Sequence, residues 1–432
     1  MYIKLKNRFE TQVINDEILE KLNLANRYNF LNENLIPILS ESQFIFLKEV
    51  QDFCLNFEDM NNISHGPNED IYEWYPTFGK QGYITRQFNY ECIDLNYKEY
   101  GMAMDFMRIL ALDFFDPQFT MGSGATVICI NPIYEHHENV PERLEALKEL
   151  VTGEVTGCLL ITEPERGSDA VHQLTTCEAQ EDGSFLLNGT KIFNTNAPKS
   201  KWAVAYATAE KNNGNLMGQF LINTSWDGWN CERVGIPWVP KLYLGKERLE
   251  NLRVPKEYVL GGIGKGREHL FEGLVPERIS IAVRGASECW GALAHAIIYA
   301  NMRRQFDKEI LLFQGVGFTL TDLWARTTAL THGILKFCEK YDEKMEKYNH
   351  NLPDNISRAF VALGSQYKYN CALLSKKVCY EAANLMGGAG LCDNTLMHDY
   401  INISRIQEII GGSRQIQQFI MSRNLRNQFK NL

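Results

Sequence analysis

Several short stretches of this 432-residue chain carry residues suited to holding anions and moving protons. Thr162, Ser168 and Asp169 lie in Leu160-Ile-Thr-Glu-Pro-Glu-Arg-Gly-Ser-Asp169, a loop that directly follows a run of strand formers. Hydroxyls and exposed amides there can bond a phosphate or another acceptor-bearing group, since such groups need donors. Taken alone, the loop also reads as a well-capped turn. Arg303, in Arg303-Arg-Gln-Phe306, offers a planar fork suited to a diphosphate through two charge-assisted bonds. Gly387-Gly-Ala-Gly390 allows close backbone approach to a ligand, or simply ends a helix. Glu277, in Val275-Pro-Glu-Arg278, is by itself a common helix partner of Arg278 facing solvent. Gly262-Ile-Gly-Lys-Gly266 lacks the Gly-Lys-Ser/Thr and the spacing of a dinucleotide loop, so a hinge is expected. Glu135-His-His-Glu138 places adjacent histidines on a loop, where they point different ways; a solvated surface is expected and no metal.

These residues need elements to position them. Up to residue 156 the chain reads as mainly helical, with apolar spacings of three and four over Asp16–Ala25, Ser40–Phe57, Tyr97–Leu112 and Pro141–Val151. The character changes at Gly157. Cys158–Thr162, Phe185–Asn188, Trp202–Thr208, Gly218–Asn223 and Leu249–Val254 are short runs of strand formers. Turn signals such as Glu181-Asp-Gly183 and Asn212-Asn-Gly214 separate them, and a compact antiparallel sheet is expected. Past Gly266 the pattern is helical again. Ile279, Val283, Ala286, Trp290, Leu293 and Ile297 draw one apolar stripe, a second long helix covers about Ser365–Met386, and Ser413 is an N-cap for the last. Pattern alone gives an α+β protein of two or three domains.

Composition narrows the class. An apolar content of 45% in a chain of this length suffices for substantial cores, and the net charge of −9 argues against a nucleic-acid partner. Eleven cysteines without CxxC spacing suggest neither a zinc framework nor a disulfide scaffold, and fit buried thiols in a reducing compartment. The start runs straight into polar sequence without a secretory h-region, and no apolar run approaches the ~20 residues of a membrane span. A cytoplasmic, globular protein with no membrane contact is expected.

The Thr162–Asp169 loop, Arg303–Phe306 followed by Gln314, and Gly387–Gly390 leading to Gly411-Gly-Ser-Arg-Gln-Ile-Gln417 together resemble, in order, the acyl-CoA dehydrogenase family. The resemblance runs from about Gly157 to Leu425. It implies an N-terminal helical domain over 1–156, a central β-sheet domain over 157–261 and a C-terminal helical bundle over 262–432. It also implies FAD, with Thr162, Ser168, Phe193, Thr195, Ser413 and Gln415 on the chain's own flavin. Arg303, Phe306, Gln314, Asn384, Gly387 and Gly388 match positions that reach the FAD of a neighbouring subunit, which implies a homo-oligomer, most simply a tetramer. Ser168 and Arg278 match substrate-side positions.

One departure bears on the chemistry. Where many members carry their catalytic glutamate, this chain has Gly411. The resemblance then assigns the base to Glu277, because some members carry it at that place on another helix. A small residue at 411 fits, since two carboxylates there would repel. The Gly411 backbone N–H is retained as donor to the thioester oxygen. Glu408 is the reserve, expected on a helix surface, and a helix beginning at Pro276 would lower the pKa of Glu277 through its dipole. The implied reaction is dehydrogenation of an acyl-CoA to the trans-2-enoyl-CoA, with electrons passing to an electron-transferring flavoprotein. The alternatives are a dehydrogenase or oxidase of carrier-protein-bound acyl or aminoacyl thioesters, or a catalytically silent flavin-binding subunit.

Overall fold

The structure is a computed structural model that describes residues 16–85, 88–97, 99–392 and 395–428. Among the described residues seven α-helices precede the first strand: α1 (Asp16–Lys21), α2 (Leu24–Leu35), α3 (Glu41–Asn61), α4 (Tyr75–Lys80), α5 (Met102–Phe115), α6 (Pro117–Glu135) and α7 (Pro141–Val151). Local chemistry sets several ends. Ser40 and Gln43 form a reciprocal capping box at the start of α3, and Pro141 occupies the first turn of α7. Helix α6 has no single apolar stripe to announce it, since nearly every side of it is buried and it contains Gly122, Gly124 and Pro132.

Eight strands follow: β1 (Thr156–Leu160), β2 (Thr176–Ala179), β3 (Phe185–Thr195), β4 (Ser200–Thr208), β5 (Met217–Asn223), β6 (Trp229–Val234), β7 (Leu244–Val254) and β8 (Val259–Leu260). They form one sheet in the order β6-β7-β3-β2-β4-β5-β8, with β1 on β4. The sheet is mixed rather than antiparallel, because β1 and β2 both pair with β4 in parallel. The turn signals report hairpins, whereas a parallel pair needs a crossover that leaves no local mark. Here the crossover from β1 to β4 is the loop of residues 161–175 and the β2–β3 hairpin.

Beyond the sheet lie α8 (Gly266–Met302), a two-residue-strand hairpin β9 (Arg304–Gln305) and β10 (Lys308–Glu309), α9 (Gln314–Lys347), α10 (Asp354–Met386), α11 (Met397–Gln407) and α12 (Arg414–Gln428). Ile279, Val283, Ala286, Trp290 and Leu293 of the expected stripe on α8 are all buried. Ser413 precedes α12 and its hydroxyl accepts from the Ile416 amide at 3.4 Å, as an N-cap does. The chain divides into two compact units, residues 1–69, 101–120 and 275–432 in one, 70–100 and 121–274 in the other. The division falls in α8 between Leu274 and Val275, next to Pro276. A proline there removes one backbone hydrogen bond from the middle of a helix.

Candidate active site

In the unit built on the sheet, the flavin-side candidates converge on the end of β3. A β-bulge between Ile192 and Asn194 sets Phe193 at φ +65°. The bulge turns its ring outward, so Phe193 is 54% exposed although it lies between buried Lys191 and Asn194. Thr162 is joined to the same strand by the Ile192 amide, which donates to its carbonyl at 2.9 Å. Neither the Thr162 nor the Thr195 hydroxyl bonds another described residue, and Ser168 is exposed. An outward aromatic face with free hydroxyls beside it suits a planar, acceptor-rich ring system.

Residues that the motifs did not single out hold this arrangement rigid. Lys191 and Glu163 form a fully buried ion pair at 3.0 Å. Glu163 also accepts from the Leu174 amide at 2.7 Å and the Thr175 amide at 2.8 Å, which ties both ends of the 161–175 loop to β3. Burial alone would raise the Glu163 carboxyl, but Lys191 and the Thr175 donors hold it below its ordinary value. Elsewhere in this unit Glu135 and Glu138 are exposed, as a solvated surface requires, while His136 and His137 are half-buried. His136 packs against the His269 ring at 4.1 Å, and burial lowers both imidazoles. Among the described residues no cluster of histidines, cysteines or carboxylates could hold a metal ion.

The proton-handling candidates lie in the other unit. Glu277 sits eleven residues into α8, so Pro276 does not start the helix and the helix N-terminus does not lower the Glu277 carboxyl. The carboxyl is instead raised above its ordinary value. Burial outweighs the opposing pull of Arg278, Arg284 and Lys368. Gly411 and Gly412 follow α11 with φ of +61° and +86°. A Cβ built on Gly411 would lie 3.5 Å from Glu277 Oε1 and 2.3 Å from Ile281 Cδ1. The Glu277 carboxylate therefore occupies the space toward which a side chain at 411 would point. Glycine is required there twice over, by the left-handed backbone and by Ile281.

The 411–413 turn is held by its carbonyls. Gln417 Nε2 donates to the Gly411 oxygen at 3.0 Å and the Gly412 oxygen at 2.8 Å, and Lys368 Nζ donates to the Gly412 oxygen at 2.6 Å. The amides of Gly411, Gly412 and Ser413 donate to no described residue. Arg278 is 4% exposed and its Nε has no partner among the described residues. Lys368 carried no sequence motif. Its signal is a lysine on the buried face of α10, in step with Gly364, Ser365, Cys371, Ala372 and Ser375. Glu408, by contrast, is 6% exposed rather than on a helix surface. It accepts from Lys376 at 2.9 Å, lies 3.1 Å from Arg414, and pairs with Arg405. A carboxylate so occupied is unsuited to collecting a proton.

The remaining candidates lie on the surface of the same unit. Phe306 and Asp307 form the two-residue tip of the β9–β10 hairpin, both at positive φ, as in a type I′ turn. Asp307 thus fills a position that favours glycine, and Phe306 is 87% exposed. Arg304 is taken by Glu309 and the Asp307 carbonyl, whereas the exposed side chains of Arg303 and Gln314 bond no described residue. Gly387 ends α10 at φ +62°, and a Cβ on Gly387 or Gly388 would meet open space, beside exposed Asn384. Gln415 is exposed in the first turn of α12.

Comparisons with known proteins bear on the family and the fold. The acyl-CoA dehydrogenase middle-domain model matches residues 158–237 and the acyl-CoA dehydrogenase C-terminal-domain model residues 264–426, together more than half of the chain. The short-chain-specific acyl-CoA dehydrogenase of Megasphaera elsdenii is 27% identical over 71% of this chain and 77% of its own length. A caffeyl-CoA reductase–Etf complex subunit of Acetobacterium woodii is 29% identical over 64% of this chain and 70% of its own. The solved butyryl-CoA dehydrogenase of Megasphaera elsdenii superposes with a TM-score of 0.79 at 24% identity, covering 90% of this chain and 98% of that one. From the ordered motifs, the helix–sheet–helix architecture and these matches, the chain belongs to the acyl-CoA dehydrogenase family.

Proposed function

We propose that this protein is an FAD-dependent dehydrogenase that converts an acyl-CoA to the trans-2-enoyl-CoA, with Glu277 as the base. The carrying observation is that Glu277 Oε1 lies 3.5 Å from where a side chain at Gly411 would begin, so one carboxylate serves the space of either position. Glu277 removes the α-proton of the thioester. A carboxyl raised by burial is the stronger base for that task once ionised. The free Gly411 N–H donates to the thioester oxygen and so acidifies the α-carbon. Arg278, buried with an unused Nε, orients this region. FAD, when bound, supplies the acceptor for the hydride that leaves the β-carbon.

The residues present fit that cofactor. In the sheet unit Phe193 offers an exposed ring face, with Thr162, Ser168 and Thr195 as hydroxyl donors; Ser413 and Gln415 of the other unit are assigned to the flavin by the family resemblance alone. Arg303, Phe306, Gln314, Asn384, Gly387 and Gly388 serve the FAD of a second subunit. Exposed Phe306, Phe318, Trp324, Tyr380 and Phe419 support a homo-oligomer, which we assign as a tetramer. The Etf-complex subunit among the relatives supports an electron-transferring flavoprotein as acceptor. Eleven free cysteines fit a cytoplasmic setting, and among the described residues no helix is long and apolar enough to cross a membrane. The placement of Glu277 favours turnover over a silent flavin-binding subunit. The test is anaerobic mixing of the purified protein with a panel of acyl-CoAs. Yellow protein that bleaches and releases enoyl-CoA is expected; colourless protein that takes up no added FAD refutes the proposal.

A further inference from the structure

We propose that Lys368 is a positioning residue of this reaction, tethering the Gly411–Ser413 turn beside which the Glu277 carboxylate lies; the inference rests on the reading of Glu277 as the base. Lys368 is 1% exposed, and its Nζ donates to the Gly412 carbonyl at 2.6 Å. Two consecutive glycines at positive φ form no ladder with a neighbouring strand or helix, so side chains must fix their peptide planes. Lys368 and Gln417 do so from the carbonyl side. In a planar trans peptide the N–H points opposite the C=O. Drawing the Gly411 and Gly412 carbonyls toward Lys368 and Gln417 therefore directs the Gly412 and Ser413 amides away from them. The turn keeps those amides, and that of Gly411, free of protein partners.

The charge of that ammonium also bears on Glu277, whose Oε1 lies 3.5 Å from where a side chain on Gly411 of the tethered turn would begin. The charged groups that bear on Glu277 are Arg278 and Arg284 from α8 and Lys368 from α10. Those that bear on Lys368 are Glu277 and Arg278 from α8 and Glu408 at the end of α11, with the titratable but burial-neutralised thiol of Cys371 on its own helix. Burial pushes Lys368 down to about 8, and Glu277 and Glu408 counter that fall. Holding a buried cation against that penalty is poor use of a core position, where an apolar side chain of the same volume packs as well. A cation that both pins the turn and favours the ionised base accounts for the lysine.

The test compares Lys368→Met, Lys368→Gln and Lys368→Arg with wild type, each as the FAD-loaded oligomer. Anaerobic flavin reduction by butyryl-CoA gives the pH profile of the rate. Infrared titration without substrate follows the Glu277 carboxyl band, identified by its loss in Glu277→Gln. Removing a positive charge disfavours the carboxylate, so the base ionises only at higher pH. In Lys368→Met and Lys368→Gln, the band and the acid limb of the profile should both move up by about one pH unit. The plateau rate should fall at least about tenfold as the turn loses its tether. Lys368→Arg should return the acid limb toward wild type without the full plateau. Wild-type band, limb and plateau in Lys368→Met overturn the proposal. So does loss of folding in both neutral variants, which makes the lysine structural. If Glu277→Gln reduces its flavin like wild type, the base assignment fails, while the infrared shift in Lys368→Met still reports whether lysine and glutamate are coupled. An inactive Glu277→Gln beside an unchanged Lys368→Met leaves the base standing and removes this proposal.

Discussion

Glu277 and Glu408 lie in the same compact unit, yet their surroundings differ in every respect that matters to a proton. Both are pushed up by burial. At Glu408 the hydrogen bonds and charges of Lys376, Arg405 and Arg414 override that push and hold the carboxyl below its ordinary value. At Glu277 the cations Arg278, Arg284 and Lys368 fall short, and the carboxyl stays above it. The difference lies in direct contact rather than in the number of neighbouring cations. Glu408 spends its oxygens on ion pairs, while Glu277 faces the space left by a glycine. A carboxylate in the first setting holds helices together; one in the second is poised to collect a proton.

The largest effect on this comparison should come from Gly411→Ala. Its methyl group would meet Ile281 Cδ1 at 2.3 Å, on a backbone held at φ +61°. Left-handed strain and overpacking together should cost on the order of 2–5 kcal/mol in urea unfolding, and Ile281→Ala should return part of it. A glutamate at 411 meets the same obstacle, so placing a carboxylate there requires Ile281 to shrink as well.

Glu408→Gln should cost less, on the order of 1 kcal/mol, because its cationic partners are themselves well exposed and regain water. The two glutamates should also differ in the sign of their pH dependence. Glu408, depressed in the folded state, stabilises above the ordinary value near 4.5, and that stabilisation is lost as pH falls through its folded value. Glu277, raised, does the reverse: its contribution is lost as pH climbs from 4.5 through its folded value. Melting curves from acid to neutral pH should show wild type gaining stability relative to Glu408→Gln and losing it relative to Glu277→Gln. Slopes of the same sign would erase the distinction.

The smallest effect should come from the other unit. Phe193→Ala removes a ring that is 54% exposed, so FAD retention should weaken by about 0.5–1.5 kcal/mol, read by equilibrium dialysis. Melting of the cofactor-free protein should change little.

Much of this was legible in the sequence because motif residues announce themselves. The loop after β1, the Arg303–Phe306 hairpin and the Gly411–Gln417 segment are each contiguous, and their glycines and turn residues mark the backbone turns. The stripe on α8 showed as spacing of three and four. What stayed hidden was pairing between distant segments. The parallel β1–β4 contact leaves no turn signal, and α6 is buried on too many sides to show a stripe. Lys368, Lys191 and Glu163 act through burial, which a polar letter in an apolar run suggests only once the helix or strand is in place. Glu408 looked like a surface residue because its partners Lys376 and Arg414 come from neighbouring helices.

The most direct measurement is the rate of flavin reduction in Glu277→Gln, by anaerobic rapid mixing with an acyl-CoA that bleaches the wild type. Glutamine keeps the size and hydrogen bonding but cannot accept a proton. The rate should fall by about 10²–10⁴ with FAD content unchanged. Reduction at the wild-type rate would contradict the account and leave Glu277 a structural residue beside Gly411.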